Sequence, residues 1–188
     1  MLDVIGHVRK MAFAINRASG YEKNMVVVEL AYTDEIAERI TDIIPVVRDQ
    51  GFVVVVSGTD DVMDADGVLL RDIAKVTDMR KKCGEDAIIG LVCDDLDAAT
   101  LAVKYDVDYV ILAADPTLIT QFSIQSDVLC VARGEEITNK NCGVLAQAGA
   151  DLIDVGAYIM EHEKDVMQGA VNILHELDVA AKMPEALN

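Results

Sequence analysis

A chain of 188 residues with 52% hydrophobic side chains is long enough to bury one sizeable core, and 1–188 reads as a single domain. Its 33 acidic and 16 basic residues give a formal charge of −17 and a pI near 4.3, which argues against nucleic acid as a partner, since phosphates would be repelled, and against anionic membrane surfaces. The surplus acid is either a solvated surface that keeps the protein soluble or an acidic mouth that holds a divalent cation.

Val4, Val8, Met11, Ala12 and Ile15 recur at helical spacing and predict an N-terminal helix over 1–20, ended by Gly20. His7, Arg9, Lys10 and Arg17 interrupt it, so it matches neither a signal peptide nor a spanning helix, and a soluble, cytoplasmic protein is expected. The first strand is predicted at 25–30. Thr33 and Asp34 then open a helix to about residue 49 that Pro45 should end or kink, and the all-apolar run at 52–56 suits a buried central strand. The acidic connection 57–66 has room for barely one helical turn before the strand 67–70, entered through Gly67. Beyond it, helices over 72–82, 94–104, 116–121, 138–147 and 163–177 alternate with strands over 87–91, 109–112, 128–131 and 152–155. The end, 182–188, contains Pro184 and reads as a frayed tail.

Strands apolar on both faces, each followed by a helix, predict a parallel sheet covered on both sides. The fold class is therefore α/β, a TIM-type (β/α)8 barrel. Seven strands are counted where the closed barrel has eight, and the deficit lies at the N-terminus, where the first strand is missing, very short or replaced by the helix. Cys83, Cys93, Cys130 and Cys142 lack the close pair spacings of a zinc site; Cys93 and Cys130 sit in apolar runs and are expected to be buried, reduced thiols.

The segments ADGVLL, AIIG, DYVILAADPT and ITNKNCGVLAQAGADLIDVGAYI resemble the corresponding pieces of the thiamine phosphate synthase family and its TenI-like relatives, over about 25–159. The resemblance implies a compact barrel and a transferase of thiamine biosynthesis that joins a pyrimidine pyrophosphate to a thiazole phosphate, releasing pyrophosphate with the help of magnesium. Most of the family's catalytic positions are changed here. Its Gln-Leu-Arg-Glu-Lys signature falls on Glu29, Leu30, Ala31, Tyr32 and Thr33, without the pyrophosphate-binding lysine. Its metal-binding Asn-Asp pair falls on Ser57 and Gly58, with Asp60 and Asp61 just beyond, and its second metal aspartate on Ala74, with Asp72 nearby. Its Gly-Gly-Ile phosphate loop is lengthened, running from Arg133 and Gly134 through Glu135 and Glu136 to Ile137.

Close to the positions where the family's ligands fall, Asp60, Asp61 and Asp72 are the substitute ligands for Mg2+, with Asp72 and Arg71 as the catalytic candidates; read independently of the family, Arg133, Gly134 and Gly156, just beyond the last strands, are the candidate phosphate site. These positions also follow strand ends, where barrels of this type place their active sites. No lysine is expected beside the carboxylates to take up the charge of a departing phosphate. The alternative for Arg133 is pairing with Glu135, Glu136 or another mouth carboxylate, and Glu161, His162 and Glu163 read as a solvated helix start. Two functional readings follow. One is an enzyme acting on a phosphorylated heterocycle of the thiamine type. The other is a non-catalytic barrel that binds a small ligand or assembles, for instance as a homodimer through the N-terminal helix, with a mouth plugged by arginine–carboxylate pairs.

Overall fold

The computed structural model describes residues 6, 9–12 and 26–183. Residues 9–12 are helical, and Ala12 is wholly buried in the core; the remainder of the expected N-terminal helix, the start of the first strand at Met25, any eighth strand before it and the tail from 184 onward lie outside the described residues. So does most of the helix through which a homodimer was expected.

Seven strands form one parallel sheet in chain order: β1 (Val27–Ala31), β2 (Val53–Ser57), β3 (Gly67–Leu70), β4 (Ile88–Val92), β5 (Tyr109–Ala113), β6 (Leu129–Arg133) and β7 (Leu152–Ile153). Helices join them: α1 (Asp34–Ala37) and α2 (Ile40–Arg48), α3 (Val76–Cys83), α4 (Leu96–Ala102), α5 (Pro116–Ser123), α6 (Cys142–Gln147), then α7 (Gly156–Met160) and α8 (Val166–Lys182) after β7. This is the expected TIM-type α/β architecture, and the connection from β2 to β3 carries no helix, as its length predicted. No helix among the described residues is long and apolar enough to cross a membrane.

Side chains alternate across the strands and create two apolar layers. Val54, Val56, Val68, Leu70, Ile89, Leu91, Val110, Leu112, Cys130 and Ala132 face outward and pack with Ile40, Ile43, Ile44, Val47, Val76, Ile119 and Phe122 of the helices. A smaller inner cluster contains Leu69, Tyr109, Ile111 and Val131, joined by Ile88, Val92 and Leu152. Each fully buried aliphatic side chain contributes roughly 1.5–3 kcal/mol of transfer free energy, so the outer layer is the larger stabilising term. The inner layer needs glycine at two places. A Cβ on Gly90 would lie 2.0 Å from Cζ of Tyr109, whose ring covers it from the neighbouring strand, and one on Gly67 would lie 2.1 Å from the Ile88 carbonyl oxygen.

One expectation needs correction. The predicted helix over 34–49 breaks at Glu38 and Arg39, not at Pro45, which sits inside α2. Ile40, Ile43, Ile44 and Val47 form a buried stripe that holds α2 on the sheet, while Pro45 and Thr41, whose carbonyl the proline ring opposes, are exposed.

At the N-terminal ends of the strands a small device recurs. Asp66, just before β3, takes the Val54 N–H of β2 on Oδ2 at 2.7 Å; Asp108, before β5, takes Ile89 N–H of β4 at 2.7 Å; Asp151, before β7, takes Cys130 N–H of β6 at 2.8 Å. In each case the aspartate's own N–H returns a bond to the carbonyl of the same partner residue, at 2.8 to 2.9 Å. Arg48 braces Asp66 through two donors and Arg80 braces Asp108 at 2.7 Å.

Candidate functional site

The opposite end of the sheet, where the strands terminate, is the mouth. Arg133 is the last residue of β6 and lies on the inner face by alternation with Val131 and Leu129. The sheet curls far enough for its guanidinium to reach β1: one terminal nitrogen donates to Oε2 of Glu29, while Nε donates to Oδ2 of Asp154 at 2.6 Å. Asp154 follows β7 directly and also accepts the Gly156 N–H on Oδ1 at 3.2 Å. The three side chains are partly buried, with 29 to 35% of each exposed. Burial alone would weaken the arginine as a base, but the adjoining Glu29 and Asp154 carboxylates overcome it and hold the guanidinium charged more firmly than usual. Deeper on the same face, burial first and then the charge of Glu29 push the Tyr109 phenol well above its ordinary range, so it remains protonated.

Arg133 and Gly156 are thus linked through an aspartate that sequence reasoning did not single out, while Gly134 adjoins Arg133 along the chain. The signal for Asp154 was present: it stands two residues beyond Leu152, on the inner face of the last strand. The alternative partner of Arg133 is realised as well, although through Glu29 and Asp154 in place of Glu135 or Glu136. The loop after β6 is held by its asparagines. Asn141 Oδ1 accepts the Thr138 N–H at 2.7 Å and its amide donates to the Glu136 carbonyl at 3.0 Å, while Asn139 accepts the Tyr158 hydroxyl of α7 at 3.0 Å. Between this loop and α7 opens a shallow cleft of about 410 Å³. Glu161, His162 and Glu163, read as a solvated helix start, line one side of this cleft from the link between α7 and α8, with Asp165 capping α8 through the Gln168 N–H at 2.8 Å.

The residues read as the metal and catalytic group are not assembled. Both oxygens of Asp60 meet Nζ of Lys75, at 2.7 and 2.8 Å. Asp61 accepts the Met63 N–H at 3.0 Å and lies 3.4 Å from Nζ of Lys82; that N–H first, then the ammonium, hold its carboxyl below the usual range. The expectation that no lysine stands beside these acids is therefore corrected: α3 and the 3-10 turn before it (Ile73–Lys75) bring two, from positions 15 or more residues away along the chain. Asp72 takes the Ala74 N–H at 3.0 Å and caps that turn, and Arg71 is exposed without an ion pair among the described residues. No three His, Cys, Asp or Glu side chains among the described residues are grouped to hold a metal ion. A carboxylate already neutralised by an ammonium is a poor partner for magnesium, which wants oxygen donors at close to octahedral positions, so this donor set does not fit the ion. Asp95 and Asp115, also at the mouth, cap α4 and α5, at 2.8 Å from Ala98 and Thr117 N–H respectively.

Fold and site define a TIM-type α/β protein with an inward-facing arginine at its mouth. Among solved structures, the chain is similar to a thiamine phosphate pyrophosphorylase from Pyrococcus furiosus, with 19% identity over 94% of this chain and 90% of that one and a TM-score of 0.78. It is similar to orotidine 5'-phosphate decarboxylase from Pyrococcus horikoshii at 15% identity, covering 93% and 92% of the two chains, with a TM-score of 0.72. It is also similar to (S)-3-O-geranylgeranylglyceryl phosphate synthase from Thermoplasma acidophilum, solved in complex with sn-glycerol-1-phosphate, at 14% identity over 90% and 86%, with a TM-score of 0.64. No protein-family model and none of the curated proteins matches the chain. At these identities the likeness establishes the barrel-type fold, and different chemistries share it.

Proposed function

We propose that the protein binds a phosphorylated small molecule at the C-terminal mouth, with Arg133 as the anion-binding cation, and does not carry out the magnesium-dependent displacement of pyrophosphate. The observation that carries this reading is the position of Arg133: inward-facing at the end of the penultimate strand, beside Gly134 and within one aspartate of Gly156, where loops of such barrels commonly hold phosphate. A guanidinium offers paired N–H donors that match phosphate oxygens. The solved proteins of similar fold support the ligand class, since several are named for phosphate esters. Thiamine phosphate and thiazole phosphate are the first ligands to try, on the strength of the sequence resemblance.

A second reading, a non-catalytic assembly module, is favoured by one observation: Arg133 already has two carboxylate partners. Thermal-shift titration with thiamine phosphate, thiazole phosphate and pyrophosphate, each with and without magnesium, separates the two. A ligand at a hundred times its dissociation constant adds about 2.7 kcal/mol, roughly 5–10 °C for a chain of this size. The phosphate reading expects such a rise in the native protein and its loss in Arg133→Gln; no rise with any of these compounds at millimolar concentration sinks it and leaves the assembly reading.

A further inference from the structure

We infer that Glu29 and Asp154 are built-in competitors for the phosphate-binding guanidinium, so that the mouth is closed by the chain's own carboxylates and admits only a ligand able to displace Glu29. The inference rests on the phosphate reading of Arg133. Asp154 lies between the loops that follow β6 and β7, with Oδ2 on Nε of Arg133 at 2.6 Å and Oδ1 on the Gly156 N–H at 3.2 Å. Its two oxygens take the donors that an incoming phosphate would use. Glu29 takes a terminal nitrogen of the same guanidinium from β1, a strand that is not paired with β6.

The two carboxylates are not equivalent. Asp154 makes two side-chain hydrogen bonds, and its own N–H is bonded to the Ala132 carbonyl of β6 at 2.9 Å, so it moves only with the backbone around it. Glu29 makes a single side-chain hydrogen bond and has one more rotatable bond between carboxylate and backbone than Asp154, so it is the partner that yields. With both in place one positive charge faces two negative ones, and an inorganic dianion gains nothing by approaching. Once Glu29 swings away, an edge of the guanidinium is open for a bidentate contact. Glu29 thereby sets specificity: free phosphate is refused, whereas an ester whose remaining atoms bind elsewhere in the mouth can offset the displacement.

Inorganic phosphate is the probe, measured by calorimetry and thermal shift at low ionic strength on the native chain, Glu29→Gln, Asp154→Asn and the double variant Glu29→Gln/Arg133→Gln. Removing one competing charge at this distance is expected to tighten phosphate binding about tenfold or more in Glu29→Gln, and the double variant should lose the gain. A folded Glu29→Gln, judged by circular dichroism and cooperative melting, that binds phosphate no better than the native chain overturns the inference and makes the contact structural only. Should Glu29→Gln not fold, the same comparison in Asp154→Asn decides. Native binding of thiamine phosphate through Arg133, with no gain in either variant, refutes the competitor role and keeps the phosphate reading. A gain in Glu29→Gln without binding of any ester by the native chain shows a block that no tested ester lifts and overturns the specificity role of Glu29, and silence throughout removes both readings.

Discussion

Burial dictates the behaviour of the thiols. Cys93 and Cys130 lie on the outer face of the sheet, and burial first, then nearby acids, pushes each of them up to about 11; Cys142 is raised in the same direction and is also buried. Only the thiolate is a good nucleophile, so these groups are inert near pH 8. Cys83 is the exception in exposure, being half-buried at the end of α3. A disulfide reagent should therefore label Cys83 first in the native protein and the other three only on unfolding; rapid native labelling of Cys93 or Cys130 would contradict this. The apolar runs around Cys93 and Cys130 made their burial legible in the sequence. The lysines facing Asp60 and Asp61 were not legible, because the loop after β2 returns past α3, and nothing in residue spacing reports a contact between segments 15 or more positions apart. Glu29 was visible as a mouth carboxylate, and Asp154 was overlooked within an otherwise apolar strand.

At the scale of elements, the strands were legible to within about two residues at either end, because runs apolar on both faces are rare outside parallel sheets. Helix breaks were harder to place. Pro45 looked like a terminator, yet the buried stripe of α2 retains it, and the break falls at Glu38 and Arg39 where the chain turns onto the sheet. The same tension between local preference and packing shows at the inner-face glycines. Gly90→Ala pushes into a side chain and should cost roughly 1–3 kcal/mol, a typical overpacking penalty, recovered in part by Tyr109→Leu. Gly67→Ala pushes into the backbone of β4, which cannot retreat without breaking strand pairing, so it should destabilise more and gain nothing from Tyr109→Leu. Chemical denaturation of the two glycine variants, each alone and combined with Tyr109→Leu, checks the order, and equal losses at the two glycines would show that the ring is as immovable as the strand.

For the whole molecule, the pattern of strand then helix was enough to specify the barrel class, while the mouth had to be seen in three dimensions, since its arginine and glutamate are 104 residues apart. The surplus of acid also takes on structure at this scale: several acids are helix caps, several are lysine partners, and three join successive strands at the end opposite the mouth. Asp66 shows what acid does to such a join. Burial favours its protonated form, but the Arg48 guanidinium and the Val54 N–H outweigh that and leave the carboxyl below its usual range. A carboxyl depressed in the folded state stabilises above its unfolded pKa, near 3.9, and loses that contribution as pH falls through the lowered value. Asp66→Asn should accordingly cost about 1–2 kcal/mol near neutrality and flatten the decline in melting temperature below about pH 4; an unchanged acid limb would count against the role. The three joins have a further consequence for how the barrel comes apart. They bind β2 to β3, β4 to β5 and β6 to β7, leaving the seams between those pairs without a carboxylate tie of this kind. In native-state hydrogen exchange the amides of Val54, Ile89 and Cys130 should therefore open later than their neighbours in the same strands, and each should lose that protection when its own aspartate is replaced by alanine.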